Sequence, residues 1–135
     1  MATTKFSQST PLLVLATAFG AMSLGFGINS ILNPMSELSF FELQDLAATA
    51  DPILIEALMV AFGAKLIGAA LAVFATAYYG SRKALGWILI AGGGVAGVDG
   101  WICLSYVGKG EWNHWGYGGM MVVLGTLLLG VADRK

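Results

Sequence analysis

The sequence predicts an all-α fold: a bundle of four transmembrane helices with a short amphipathic interfacial helix between the first and second spans. Three observations carry this reading. Of the residues, 57% are hydrophobic and 11% charged, where a soluble domain has about 25% charged. Four stretches, at about 11–32, 52–79, 84–107 and 115–132, each approach the roughly 20 apolar residues needed to cross ~30 Å of hydrocarbon. All charged residues except Glu56, Lys65 and Asp99 lie outside these stretches. The chain therefore reads as a single integral membrane domain over 1–135, with the lipid bilayer as its first partner. Its net charge of −1 gives no basis for a nucleic-acid partner. The lone Cys103 permits neither a disulfide within the chain nor a cysteine metal site.

The first span resembles a signal peptide superficially, but its positive region is the single Lys5 and its apolar run exceeds the usual ~7–15 residues, so a retained span is expected. Asn33-Pro34 stops it. In the loop that follows, Ser39-Phe40-Phe41-Glu42 has capping-box spacing. Phe40, Leu43, Leu46 and Ala47 recur at helical intervals opposite Glu42 and Asp45, predicting a helix lying on the membrane surface. Its role is either a connector or a lid over an entry from the membrane. Asp51-Pro52 supplies an N-cap and a proline at the first helical position for the second span, and Gly80-Ser81 ends it. Lys5, Arg82, Lys83, Arg134 and Lys135 share one side of the predicted topology, with Lys109 alone on the other, so the positive-inside rule puts both termini in the cytoplasm.

Gly92-Gly93-Gly94-Val95-Ala96-Gly97 matches the dinucleotide-binding pattern G-x-G-x-x-G, but that reading needs a preceding strand, and here the run lies inside an apolar helix. Gly93/Gly97, Ala21/Gly25, Ala64/Gly68 and Gly68/Ala72 read instead as small-residue pairs that let helices approach, within the chain or in an oligomer.

Polar groups at membrane depth are the candidate functional residues, because each costs ~2.5–3.5 kcal/mol on insertion scales if ionised. Lys65 sits near the middle of the second span with Ala61, Gly68, Ala69 and Ala72 on its face, which predicts that it points into the bundle. Asp99 lies late in the third span, and a lysine side chain can bridge the difference in depth between them, so a Lys65–Asp99 ion pair is expected. That pair either fixes helix register or takes part in chemistry. Asn29 near the end of the first span and His114 at the entry to the fourth converge on the same level; Glu56 is half a turn out of phase with Lys65 and reads as a headgroup contact. Trp101, Tyr106, Trp112, Trp115 and Tyr117 lie close to that level, either as an interfacial belt or, for Trp101, Tyr106 and Trp115, as walls of a ligand pocket.

With these positions placed, the chain resembles a family of small four-span membrane proteins, common in fungi, described as a domain of unknown function and distantly related to DoxX-like proteins. The resemblance rests on the Gly25-to-Pro34 segment, Gly63-Ala64-Lys65 with Gly68, Arg82-Lys83 before Gly86, Asp99, and His114 with Gly116. It implies the four-span architecture and, for a fungal protein, an endoplasmic reticulum location; it implies no activity.

Three functions remain open on the sequence. The first is an isomerase or cyclase of secondary metabolism acting on a lipid-soluble, terpenoid-like or polyketide-like molecule, without a cofactor. Asp99 would be general acid or base, Lys65 would tune it or hold an oxyanion, His114 would exchange protons, and Asn29 would orient the substrate. The second is a non-catalytic subunit whose glycine-rich faces pack partner helices, and the third a small proton-coupled transporter. The chain has no G-x-S-x-G, H-E-x-x-H or Walker loop, and a single histidine leaves no protein-only metal site.

Overall fold

The computed structural model describes residues 5–133. Arg134 and Lys135, used above for topology, lie outside them. The described chain is helical throughout, with no strand. A single 3-10 turn at Phe6–Gln8 leads into α1 (Thr10–Leu32), followed by α2 (Pro34–Phe40), α3 (Gln44–Ala47), α4 (Pro52–Tyr79), α5 (Arg82–Ile102) and α6 (Trp112–Leu128). A π-helical turn, Cys103–Val107, continues α5. Three helices are long and apolar enough to cross a membrane: Thr10–Leu32, Pro52–Tyr79 and Arg82–Val107. α6 has 17 residues, roughly 25 Å at 1.5 Å per residue, somewhat short of ~30 Å of hydrocarbon.

Local chemistry sets the ends of these helices. The Asp51 carboxylate accepts from the backbone N–H of Ile53 (2.8 Å) and Leu54 (3.3 Å), capping α4 with Pro52 at its first position. The Ser81 hydroxyl accepts from Ala84 N–H (3.1 Å) and caps α5 in the same way. Gly108, at φ 79°, closes the π turn in a left-handed conformation that costs glycine little.

α1 packs chiefly on α4 and α5 on α6, and the two pairs meet along narrower α4/α5 and α1/α6 seams. Glycine makes both tight pairs possible. A methyl group on Gly27 would stand 2.8 Å from the Gly63 carbonyl oxygen, and one on Gly125 would stand 2.6 Å from that of Gly86. Gly93 and Gly118 meet similarly farther along α5 and α6. At the end of the bundle that holds the termini, Leu12 and Ala16 of α1, Val73 of α4, Leu85 and Leu89 of α5, and Leu124 and Leu128 of α6 close a continuous core. Ser7 clamps this end, its backbone N–H and hydroxyl each donating to the Asp133 carboxylate at 2.8 Å.

Four expectations change. Lys65 does not point into the bundle: it is exposed, as are Ala61, Gly68, Ala69 and Ala72. α4 instead buries Gly63, Ala70 and Val73, and Lys65 lies two residues from Gly63, about 200° around the helix. The close approach at Gly63 decides which face turns inward. No Lys65–Asp99 ion pair forms; the salt bridge found among the described residues joins Lys109 to Glu42 (3.1 Å). Of the expected small-residue pairs, Gly25, Gly68 and Gly97 have open space where a side chain would go, and Gly93 alone makes a tight helix contact. The loop helix is also different. Two short helices replace one, broken where Glu42 takes φ 57°, and Leu46 is exposed while Glu37, Leu38 and Phe41 are buried.

Candidate functional site

At the end opposite the termini, the segment from Asn33 to Glu42 folds back into the bundle and is held by four helices. Asn33-Pro34 breaks the backbone (Asn33 φ −137°, ψ 68°) and restarts it as α2, which places Glu37, Leu38 and Phe41 on one face at helical spacing. Glu37 is 4% exposed, and its Oε2 accepts from Asn29 Nδ2 of α1 at 3.0 Å. Phe40 packs on Phe26 of α1 (ring centroids 5.3 Å apart), and Phe41 packs on Phe62 of α4 (5.6 Å). The Cys103 thiol of the π turn donates to the Phe41 carbonyl oxygen (3.5 Å) and Asn113 Nδ2 to that of Phe40 (3.5 Å).

His114 of α6 stands between these two phenylalanines, 4.9 Å from the Phe40 ring and 4.6 Å from the Phe41 ring. It is 4% exposed, and its Nε2 has no hydrogen-bond partner among the described residues. Its face continues through Gly118, Met121 and Gly125, all buried.

Beneath the inserted segment lies a cavity of about 270 Å³. Phe26, Phe40, Phe41 and Phe62 make much of its wall, with Glu37, Asp99, His114, Asn113 and Tyr117 as its polar members. Met22 of α1 and Met120 of α6, both exposed, also line it, so the cavity opens sideways between those helices. A second space of about 200 Å³ shares Asp99, Phe41 and Phe62 and extends toward Met59 and Ile102. Asp99 is thus bordered by open volume on two sides, and its side chain has no ion-pair partner among the described residues. A polar-lined cleft beside Arg82 and Lys83 at the terminal end contains none of the candidate residues.

The model of one protein family, domain of unknown function DUF4267, matches residues 20–128. The chain belongs to this family. The DUF4267 match begins at Gly20 and ends at Leu128, so it contains the inserted segment, the cavity and all three glycine contacts described between helices. No curated protein and no solved structure matches the chain.

Within this DUF4267 fold the candidates divide. Asp99 and His114 line one cavity. Asn29 stands behind it and reaches it through Glu37. Lys65 faces away, and Trp101 and Tyr106 are 57% and 67% exposed on the outside. Trp115 turns inward as a packing group, its Nε1 donating to the Gly97 carbonyl oxygen (3.1 Å) while its ring lies against Gly100. The sequence reading missed Glu37, Phe40, Phe41 and Tyr117 as site residues. For Glu37 and Phe41 the signal lies after the Asn33-Pro34 break, where positions 34, 37, 38 and 41 share one helical face carrying a glutamate among apolar side chains.

Chemically, the cavity sets two carboxyl groups and an imidazole against aromatic walls. Aromatic walls lower the local dielectric, which strengthens electrostatic interactions with any charge that develops on a bound molecule. Proton donors and acceptors placed on apolar volume are the minimum equipment for acid–base chemistry on a lipophilic ligand.

Proposed function

We propose that this chain is a four-span integral membrane protein that takes a lipid-soluble molecule sideways into the far-end cavity and isomerises or cyclises it by proton transfer. α6 is the fourth span, both termini face the cytoplasm, the α2–α3 segment lies at the opposite interface, and the membrane is the endoplasmic reticulum if the host is fungal. A DoxX-like ancestry belongs to the same proposal. The observation that carries the reading is the meeting of Asp99, His114 and Glu37 on one apolar cavity whose rim, at Met22 and Met120, lies on the flank of the bundle.

Such a reaction balances without a co-reactant. A base removes a proton from carbon, and the resulting acid returns it elsewhere on the same molecule. Asp99 is the primary acid–base group, with open volume on two sides. His114 hydrogen-bonds the substrate's oxygen, and Asn29 positions Glu37. Lys65 has no part in this chemistry.

The test is a comparison of lipophilic metabolites in the native host carrying wild-type, Asp99→Asn, His114→Gln or Lys65→Met protein at equal levels. Loss of product is expected with the first two variants, by about 10²–10⁴-fold for the acid–base group, and no loss with Lys65→Met. Unchanged profiles for both Asp99→Asn and His114→Gln would sink the proposal.

One observation favours a second reading, a subunit that packs on partner helices. Lys65 and its small neighbours Ala61, Ala64, Gly68, Ala69 and Ala72 form an exposed face in the middle of α4, roughly 20 Å from either helix end. An unpaired lysine at that depth is costly in lipid, and a partner helix bearing a carboxylate would relieve it. A stoichiometric partner retained on Asp99→Asn and lost on Gly68→Leu in mild detergent would decide for this reading.

A further inference from the structure

Between α1 and α6, on the flank where the cavity opens, runs an apolar groove of about 470 Å³ walled by Leu12, Leu15, Phe19, Val123 and Leu127. Met120 belongs to both the groove and the cavity. Phe19 in the groove meets Tyr117 in the cavity edge-on, with ring centroids 5.4 Å apart. Gly119 lines the groove with open space in place of a side chain. The two volumes therefore adjoin at Met120 and Tyr117, one with polar groups and the other almost without them.

The residues around the polar volume also carry an unmet demand. His114 Nε2 is buried with no partner, and a buried polar atom left unpaired is costly unless something satisfies it. A ligand head with a hydroxyl or carbonyl oxygen would do so. The groove then fixes what is attached to that head. It lies along the seam of two neighbouring helices, whose axes pack ~8–10 Å apart, which admits one narrow chain. From Met120 to Leu127 the helix rises roughly 10 Å, the reach of about nine bonds of an extended chain at ~1.2 Å per bond.

We propose that the ligand of this site is a single-chain amphiphile, with a hydroxyl or carbonyl head against His114 and Asp99 and an unbranched tail in the α1/α6 groove. This rests on the cavity being the ligand site, as proposed above, and adds the shape and polarity of what enters it. A two-chain membrane lipid does not fit, because its headgroup would have to leave the surface and the α1/α6 groove admits one of its chains.

Two methyl ketones with a diazirine at the tail end test this in phosphatidylcholine vesicles containing the full chain: one with a tail spanning those roughly nine bonds, the other about a third as long. Photolabelled residues are mapped by mass spectrometry, with excess untagged ketone as competitor. The long probe is expected to label Leu12–Phe19 and Val123–Leu127 in a competable way, and the short probe to label around Met22 and Phe26. Gly119→Leu, and independently Leu15→Trp, fill the groove from opposite walls. Each should lower long-probe labelling there about tenfold and leave short-probe labelling unchanged.

Long-probe labelling that resists both substitutions, or that spreads without competition over outward faces such as those of Ala61 and Trp87, overturns the proposal as ordinary lipid contact. If the short probe still labels the cavity competably in that case, the cavity remains a ligand site and the groove alone is lost. If neither probe is competed anywhere, both this inference and the use of the cavity fail together.

Discussion

The two ends of this bundle use the same four helices and the same device of facing glycines, yet they differ in what fills the space between the pairs. Where Ser7 meets Asp133, Leu85, Leu89 and Leu128 are fully buried and the interior closes on apolar side chains. At the far end the interior is filled by a piece of backbone, the Asn33–Glu42 segment, which brings in Glu37, Phe40 and Phe41 and leaves volume beneath them. Helix–helix contacts set the first end. The second is set by a chain break and a return, and that return assembles two carboxyl groups and an imidazole inside an apolar shell. A tightly packed end holding an open, polar end in shape is a workable division for a binding site, since the strain of burying unpaired polar groups is borne by contacts elsewhere.

The largest expected effect tests whether facing glycines hold the pairs at all. A side chain on Gly63 would enter the Gly27 carbonyl at 2.6 Å, so Gly63→Leu should cost about 3 kcal/mol or more by overpacking, read as loss of the folded species in a denaturant titration in micelles. Gly68→Leu, five residues along the same helix but facing open space, should stay within about 0.5 kcal/mol. Equal losses at the two positions would mean that the α1–α4 contact is not where the structure has it.

The next test sets the two ends against each other. Leu89→Ala at the packed end should cost about 2–5 kcal/mol, lowering thermal stability without changing which probes label the cavity. Asp99→Asn removes an unpaired ionisable group of similar size, so the melting temperature should hold or rise while function falls. A large drop in melting temperature for Asp99→Asn would show that the far end, too, is selected for packing.

That contrast also separates what the sequence reveals from what it hides. The spans at 11–32 and 52–79 are legible because Asn33-Pro34 stops one and Asp51-Pro52 starts the other, local signals that tertiary packing cannot override cheaply. The inward face of α4 is not legible. It carries small residues on two sides, Gly63 with Ala70 and Ala64 with Gly68, and nothing local distinguishes them; only the position of Gly27 on another helix does. The Lys65–Asp99 pair was lost with that choice. The inward face of α6 does have a local trace, because His114, Gly118, Met121 and Gly125 line up on one side of the helix and are all buried. Glu37 escaped because its burial depends on α2 folding back, a tertiary event whose one local trace is the register after Pro34.

A smaller effect is expected at Asn29, which supplies the hydrogen bond to the buried Glu37 carboxylate (3.0 Å). Asn29→Ala should cost about 1–3 kcal/mol by leaving that group unsatisfied, and adding Glu37→Gln should recover much of the loss. No recovery in the double variant would place the role of Asn29 elsewhere, for instance with Asn33, whose Nδ2 donates to its Oδ1 at 3.4 Å.

The smallest effect belongs to the clamp at the terminal end, and its sign follows from charge. The Ser7 backbone N–H and hydroxyl bond the Asp133 carboxylate and hold its pKa below the ordinary value, with Lys5 and Lys83 adding a weaker attraction. The folded state therefore binds the proton less readily than the unfolded chain, whose aspartate titrates near ~3.9. The clamp's stabilisation is complete above that pH and declines as pH falls through the depressed folded value. Because Asp133 is open to water, salt should weaken the lysine contribution. Melting curves of wild type and Ser7→Ala should differ at neutral pH and converge on the acid side of ~3.9. The backbone N–H survives Ser7→Ala, so the difference should be a fraction of the clamp, and it should be absent in the Asp133→Asn background if the hydroxyl acts through the carboxylate. Curves that stay parallel down through that acid range would mean that Ser7 stabilises this end by packing alone.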